Sequence, residues 1–207
     1  MIFLIGATWF LGFWLWWYGR EAKKVECEKI GFLIIWVLPV GLFIRSGFMD
    51  VVYSYGPSMS PTLPEKSYMV VNKAVFGWSF PLGHAMNPGR EPWREEIVLL
   101  EPPNTSNSFL IKRVVGLPGD ELAWNEDTLW LNKKVIRHQG GALREIRYKV
   151  SLQNDDYFVV GDHWYNSKDS RFFGPIRHRR LIGTVMWVND GNWRGVVASP
   201  HVLSVKN

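Results

Sequence analysis

A serine and a lysine stand in surroundings that could make them a reactive pair. Ser58 lies in residues 56–63 (Gly-Pro-Ser-Met-Ser-Pro-Thr-Leu), shortly after an apolar run that ends at Ile44. Lys112 lies 54 residues further on, within residues 109–120 (Phe-Leu-Ile-Lys-Arg-Val-Val-Gly-Leu-Pro-Gly-Asp). A serine hydroxyl is a weak nucleophile and needs an adjacent base. Burial among apolar neighbours lowers the pKa of a lysine, which can then act as that base. The pair therefore indicates nucleophilic catalysis by serine.

Both residues also have ordinary structural interpretations. An exposed serine near a helix end is usually a cap or turn residue, and a lone lysine in a strand usually lies on the solvated face. Adjacent side chains of a strand point to opposite faces, so we expect one of Lys112 and Arg113 to face outward. The residues by themselves leave the catalytic and the structural interpretation open.

The composition argues against several other kinds of site. The chain has 207 residues and one cysteine, so it forms no internal disulfide. Its five histidines are scattered, and neither HExxH nor CxxC spacing occurs, so we expect no metal and no cofactor. The net charge of +5 is not gathered into a basic patch, and no nucleic-acid-binding motif is present. We therefore expect no nucleic-acid partner.

Two apolar segments near the N-terminus predict a pair of transmembrane helices. Residues 1–18 carry no charge and are long enough to span a bilayer. They lack the basic start and the cleavage site of a signal peptide, which favours a retained helix. Residues 30–48 predict the second helix, although their apolar core is short and a buried core helix is the alternative. The basic loop 19–29 predicts a cytoplasmic connection, which would place residues 49–207 outside the cytoplasm.

The remainder of the chain is typical of a mainly β domain. Short runs rich in β-branched and aromatic residues alternate with Gly and Pro clusters, and no long segment has helical periodicity. The pattern predicts an antiparallel, barrel-like β-sheet domain over residues 49–207, with an extended loop at 77–94. The predicted strands lie at 68–76, 96–100, 109–115, 128–131, 157–160 and 181–188.

Four sequence blocks together resemble bacterial type I signal peptidases, the membrane-bound serine proteases that remove signal peptides. The first block is Ile44-Arg-Ser leading into residues 56–63, and the second is the run 68–76. The third is residues 111–120, and the fourth is residues 161–174 (Gly-Asp-His-Trp-Tyr-Asn-Ser-Lys-Asp-Ser-Arg-Phe-Phe-Gly). The order of the blocks behind an N-terminal anchor makes the resemblance specific.

The resemblance implies a role for each matching residue. Ser58 corresponds to the nucleophile and Lys112 to the general base, a variant of triad chemistry without histidine. Ser167 corresponds to the serine that hydrogen-bonds the lysine amine and orients it. Asp169 and Arg171 correspond to an ion pair that holds this region. Asp162 and Asn166 also match and are interpreted as structural.

The resemblance also concerns the oxyanion hole, where this chain follows one of two family patterns. The backbone N–H of Ser58 is the implied donor. Some members add a hydroxyl two residues before the nucleophile, where this chain has Gly56. Gly56 could therefore contribute only through its backbone. His163 and Tyr165 depart from the usual fourth block, and we expect them to alter local packing more than catalysis.

The implied function is removal of N-terminal signal peptides from exported preproteins, with cleavage after small residues. The implied location is the bacterial inner (plasma) membrane, with the catalytic domain periplasmic. Expected partners are preproteins, the lipid bilayer and, as a candidate, the secretion translocon. Three alternatives stay open: a conjugative-transfer peptidase for pilin maturation, an inactive membrane-anchored binding module, and a self-cleaving repressor. The missing helix-turn-helix counts against the repressor.

Overall fold

The chain divides into two compact units, Met1–Phe48 and Met49–Asn207. The first contains two long helices, and the second contains the β-strands and every candidate site residue. The computed structural model of the protein describes residues 2–22, 25–79, 85–87, 89–103, 108–140 and 144–196.

The two helices of the first unit are longer than the apolar runs that predicted them. α1 spans Ile2–Glu21 and α2 spans Val25–Gly47. The two helices therefore take up most of the predicted loop 19–29. Within the described residues, no helix combines the length and hydropathy that a membrane crossing requires. The membrane spans at 1–18 and 30–48 stay predictions.

Glycines allow α1 and α2 to pack closely. A Cβ atom at Gly12 would overlap the side chain of Ile34, and one at Gly31 would overlap the backbone of Trp16. A residue without a side chain lets two helix backbones approach each other. Larger residues at these two positions would therefore push the helices apart.

The second unit is built from antiparallel strands and short helical turns. Every strand pair among the described residues is antiparallel, in agreement with the predicted class. One short helix, α3 (Ser170–Phe173), follows the eleventh strand. The strands are β1 (Met49–Tyr53), β2 (Tyr68–Asn72), β3 (Trp78–Ser79), β4 (Ala85–Asn87), β5 (Ile97–Leu100), β6 (Leu110–Gly116), β7 (Glu121–Trp124), β8 (Thr128–Leu131), β9 (Lys134–His138), β10 (Tyr148–Ser151), β11 (Asp156–Val160), β12 (Ile176–Arg177), β13 (Leu181–Asn189) and β14 (Trp193–Gly195).

The largest sheet has the order β1-β2-β13-β5-β6-β11-β12, with β14 also paired to β13. No strand pairing among the described residues joins β1 to β12, so the sheet is open rather than a closed barrel. Its central strand β5 is buried along its whole length. Alternate side chains of β5 enter two core clusters, since Ile97 and Leu99 belong to one and Val98 and Leu100 to the other.

A second sheet, with the order β10-β7-β8-β9, packs beside β6 and β11. Leu122 and Leu129 of this sheet share a third core cluster with Val115, Phe158 and Val160 of the main sheet. The two sheets are therefore joined by a common apolar layer. As a result, the strands β6 and β11 have apolar cores on both of their faces.

The predicted strands agree with the structure at 96–100, 109–115, 128–131, 157–160 and 181–188 to within one or two residues. The run 68–76 is only partly a strand, because β2 ends at Asn72 and residues Ala74–Phe76 form a 3-10 turn that buries Phe76. The predicted loop 77–94 contains the short strands β3 and β4, and residues 80–84 and 88 lie outside the described residues.

Candidate active site

Ser58 lies in the middle of a tight 3-10 turn, Pro57–Met59. Proline presets the backbone angle at the start of the turn, and the N–H of Ser60 closes it by donating to the carbonyl of Pro57 at 2.8 Å. The side chain of Met59 is buried in the first core cluster and anchors the turn. Ser58 is thereby held half-buried in the middle of a fixed turn.

Lys112 lies on β6, where it stands opposite Val98 of β5. Only 2% of the residue is exposed. Its Nζ atom donates a hydrogen bond to Oγ of Ser58 at 2.7 Å. The structure thus brings together the two residues that the sequence identified as a candidate nucleophile and base.

Burial lowers the pKa of Lys112 from 10.5 to about 8. The negative charges of Asp169 and Asp162 act in the opposite direction, and the positive charge of Arg171 lowers the pKa further. With a pKa of about 8, roughly a tenth of the lysine is neutral at pH 7. A solvated lysine would offer far less of the neutral form, so the site favours a lysine that can accept a proton.

The expectation that one residue of the Lys112–Arg113 pair faces outward is wrong. Arg113 has no exposed surface, and its guanidinium donates to both carboxylate oxygens of Asp162, at 2.9 and 2.7 Å. It also donates to the carbonyl of Glu95 at 2.8 Å. Adjacent side chains do point to opposite faces, but cores cover both faces of β6, so both cations are buried.

The carboxylate of Asp169 organises the segment that follows β11. Its Oδ2 atom accepts hydrogen bonds from the N–H of Gly161 at 2.9 Å and from the hydroxyl of Ser167 at 2.7 Å. Arg171 forms an ion pair with the same carboxylate, through Nε at 2.8 Å and Nη2 at 2.8 Å. The guanidinium of Arg171 also stacks on the ring of Trp164 at 3.9 Å. The buried carboxylate of Asp169 thus holds the backbone of Gly161 and the side chains of Ser167 and Arg171.

Ser167 lies beside the nucleophile, but the structure does not contain its expected hydrogen bond to the lysine. Its hydroxyl donates to Asp169, and no hydrogen bond in the described part of the chain joins it to Lys112. Gly161 lies between Ser167 and Ser58, because a Cβ atom there would overlap the Ser167 hydroxyl and the Ser58 carbonyl. Since Ser167 already uses its hydrogen, its oxygen could only accept one from the lysine.

The remaining residues of the fourth block have mainly structural contacts. Asn166 ends a 3-10 turn, and its N–H donates to the carbonyl of His163 at 3.2 Å. The N–H of His163 donates to the carbonyl of Ser58 at 3.0 Å, while its side chain is exposed. The hydroxyl of Tyr165 donates to Asp127 at 3.1 Å. Gly56 has open space around its Cα atom, since a Cβ atom added there would have no other atom within 4 Å.

A groove of about 590 Å³ opens onto Ser58 and Lys112. Pattern analysis of the sequence missed it, because its walls come from segments that are distant in sequence. Two of its lining residues are Tyr53 and Tyr55, whose rings are 4.8 Å apart. The sequence shows these two tyrosines, but nothing in it links them to β6. The other residues that line the groove include the apolar Val52, Met59, Leu99, Phe109, Leu110 and Ile111. An extended apolar peptide could lie in such a groove with its backbone beside the Ser58 hydroxyl.

Comparison with known proteins relates this arrangement to one family. Residues 27–189 match the family model described as signal peptidase, peptidase S26. Signal peptidase I V of Bacillus subtilis (strain 168) is 34% identical over 146 residues, which are 63% of this chain and 79% of that protein. Signal peptidase I of Rickettsia felis is 30% identical over 191 residues, which are 84% of this chain and 68% of that protein.

The solved structures include a crystal structure of a signal peptidase I from Enterococcus faecalis V583. It is 23% identical and has a TM-score of 0.38, with 46% of this chain and 97% of that chain covered. At that TM-score the likeness says nothing further about the fold of this chain.

Proposed function

Because this chain belongs to the signal peptidase family, peptidase S26, and is therefore a serine peptidase, we propose that Ser58 is its nucleophile and Lys112 its general base. The family implies preproteins that carry signal peptides as substrates. The observation that carries the proposal is the 2.7 Å contact between the Lys112 amine and the Ser58 hydroxyl, since it joins a nucleophile to a buried base.

The proposed reaction begins with attack of Ser58 Oγ on the scissile carbonyl carbon. Neutral Lys112 takes the hydroxyl proton as the new C–O bond forms, and the carbonyl oxygen becomes an oxyanion next to the Ser58 N–H. The lysine ammonium then gives its proton to the amide nitrogen, the C–N bond breaks, and the mature protein leaves. Water attacks the acyl-enzyme with Lys112 again as the base, which releases the signal peptide and restores Ser58.

The groove supports cleavage after small residues. Ile111 and Met59 line the same groove as Ser58 and Lys112, so apolar side chains lie near the reacting atoms. A pocket with close apolar walls rejects larger side chains by overlap. We therefore propose small residues at the −1 and −3 positions of the substrate.

Loss of the two side chains tests the dyad. Ser58→Ala and Lys112→Ala should each abolish cleavage of a model preprotein by the full chain in detergent, with the cut mapped by mass spectrometry. Ser60→Ala is the matched control, because the turn uses the backbone N–H of Ser60. Circular dichroism should show that all three variants fold. Normal cleavage by folded Ser58→Ala or Lys112→Ala would contradict the proposal.

We also propose that the N-terminal segments at 1–18 and 30–48 anchor the protein in a plasma membrane, with the catalytic unit outside the cytoplasm. Their apolar sequence and the basic residues between them support this location. A reporter that works only in the cytoplasm, fused after residue 207, should be inactive. An active reporter would contradict this orientation.

A further inference from the structure

Arg137 of β9 reaches from the second sheet to the segment beside Ser58. Its Nη1 atom donates to the carbonyl of Gly161 at 3.1 Å, and its Nη2 atom donates to the carbonyl of Asp162. Its guanidinium carbon lies 5.5 Å from the centre of the Trp164 ring. Gly161 and Asp162 are both buried, so their carbonyls depend on partners inside the protein.

Residues 161–163 are held mainly by charged side chains and by the nucleophile. The N–H of Gly161 donates to Asp169, and the side chain of Asp162 pairs with Arg113. The N–H of His163 donates to the carbonyl of Ser58 at 3.0 Å. Arg137 binds the carbonyls of Gly161 and Asp162, and the N–H of Asn166 donates to the carbonyl of His163. The segment therefore has one contact with Ser58, and charged side chains hold Gly161 and Asp162.

A single rigid unit links Arg137 to Ser58. The carbonyl of Asp162 and the N–H of His163 belong to the same peptide group, which is trans, because Ser60–Pro61 is the one cis bond in the described chain. A trans peptide group is planar, with its C=O and N–H pointing in opposite directions. When Arg137 holds the carbonyl end, the orientation of the N–H end towards Ser58 is also set.

We propose that Arg137 is a positioning residue for Ser58, acting through the peptide group between Asp162 and His163. The proposal rests on the proposed function of Ser58 as the nucleophile. The two donors of the guanidinium bind the carbonyls of Gly161 and Asp162, and the His163 N–H binds the carbonyl of Ser58. Loss of the guanidinium lets this peptide group rotate, which moves the nucleophile relative to Lys112.

The test compares Arg137→Gln, Arg137→Lys and the control Lys134→Gln in the full chain. Arg137→Gln should lower kcat on a model preprotein by about 10²-fold, as expected for a small misplacement of a reacting group, while KM changes by less than about twofold. Arg137→Lys keeps the charge but lacks the paired N–H donors of the guanidinium, so kcat should fall by less than in Arg137→Gln and more than in Lys134→Gln. Lys134 is exposed on the same strand, and Lys134→Gln should leave kcat unchanged.

Two further measurements separate positioning from a structural role. Amide hydrogen exchange of His163, followed by NMR, should be faster in Arg137→Lys than in the wild type and unchanged in Lys134→Gln. A lower melting temperature with wild-type kcat in the folded variants would overturn the proposal. If Arg137→Gln does not fold, wild-type kcat in Arg137→Lys alone would overturn it.

Ser58→Ala is measured in parallel to distinguish this proposal from the proposed function. If Ser58→Ala still cuts the preprotein, the assignment of the nucleophile fails. If Ser58→Ala is inactive while both Arg137 variants keep wild-type kcat, only the positioning role of Arg137 fails.

Discussion

Lys112 and Arg113 are adjacent on β6 and equally buried, yet their surroundings differ in one respect. Arg113 meets the carboxylate of Asp162 with two hydrogen bonds, whereas Lys112 meets the neutral hydroxyl of Ser58. Among the described residues, no carboxylate forms a salt bridge with Lys112. Burial without a carboxylate partner lowers the pKa of Lys112 to about 8, while Arg113 forms an ion pair with Asp162. Two differences therefore make Lys112 the group that can exchange a proton: its partner is neutral, and an ammonium can lose a proton whereas a guanidinium cannot.

The largest expected effect comes from giving position 112 the same side chain as Arg113. Lys112→Arg keeps the positive charge, but a guanidinium does not lose its proton in proteins. Cleavage should fall by about 10²- to 10⁴-fold, the range attributed to a general base. Single-turnover cleavage of a preprotein measures the effect. Activity within tenfold of the wild type would show that Lys112 is not the base.

The next effect comes from breaking the Arg113–Asp162 pair on one side. Arg113→Met leaves a buried, unpaired carboxylate, which should reduce the free energy of unfolding by about 3–5 kcal/mol. Chemical denaturation measures the change. The double variant Arg113→Met, Asp162→Leu removes both charges and should be less destabilised than the single variant. A single variant as stable as the wild type would show that the pair is not desolvated.

The pH dependence of stability sharpens the comparison from the lysine side. The folded-state pKa of Lys112, about 8, lies below its ordinary value of 10.5, so the unfolded chain binds more protons between these values. Burial of Lys112 therefore costs up to roughly 3 kcal/mol below pH 8, and this cost declines as the pH rises towards 10.5. Lys112→Met should be more stable than the wild type at pH 7, with an advantage that shrinks from pH 8 to pH 10.

Denaturation of both proteins at pH 7, 8, 9 and 10 checks this prediction. A constant difference in stability across that range would contradict a lowered pKa for Lys112. Cleavage activity should change in the same window, because the neutral lysine is the reactive form. Cleavage activity should rise with pH and reach half of its maximum near pH 8.

The smallest effect is expected for an ion pair that lies in solvent. Lys149 and Glu121 pair across β10 and β7 at 2.9 Å, with 56% and 36% of their side chains exposed. Lys149→Ala should change the free energy of unfolding by no more than about 1 kcal/mol. Chemical denaturation next to Arg113→Met gives the comparison directly. Equal losses in the two variants would show that burial does not set the strength of these pairs.

The sequence predicted most strands that lie deep in the fold and missed β7, which buries Leu122, together with several strands near the surface. β5 and residues 157–160 of β11 are continuous apolar runs, so their residue types were sufficient. β9 and β10 contain charged residues; β9 is mostly half-buried and β10 mostly exposed, so neither a run nor a clear alternation marks them. Their formation depends on pairing with β8 and β7, which local sequence does not encode.

For the site, the resemblance to a family was more informative than the local pattern. Ser58 and Lys112 were selected because four blocks occur in order, since each residue alone had an ordinary interpretation. The burial of Arg113 was missed because alternation along a strand shows that there are two faces but not what covers them. The approach of Arg137 could not be predicted, since it depends on how the second sheet packs against β11.

The crowded position of Gly161 has a consequence for comparing related chains. The hydrogen atom on its Cα atom faces the carbonyl of the nucleophile and the hydroxyl of Ser167, with no room for a methyl group. A relative that keeps the serine and the lysine but has alanine at this position would hold its reactive groups apart. Such a chain would keep the residues of the motif, but its serine and lysine would not be in contact. An alanine in place of this glycine would therefore identify an inactive relative from its sequence.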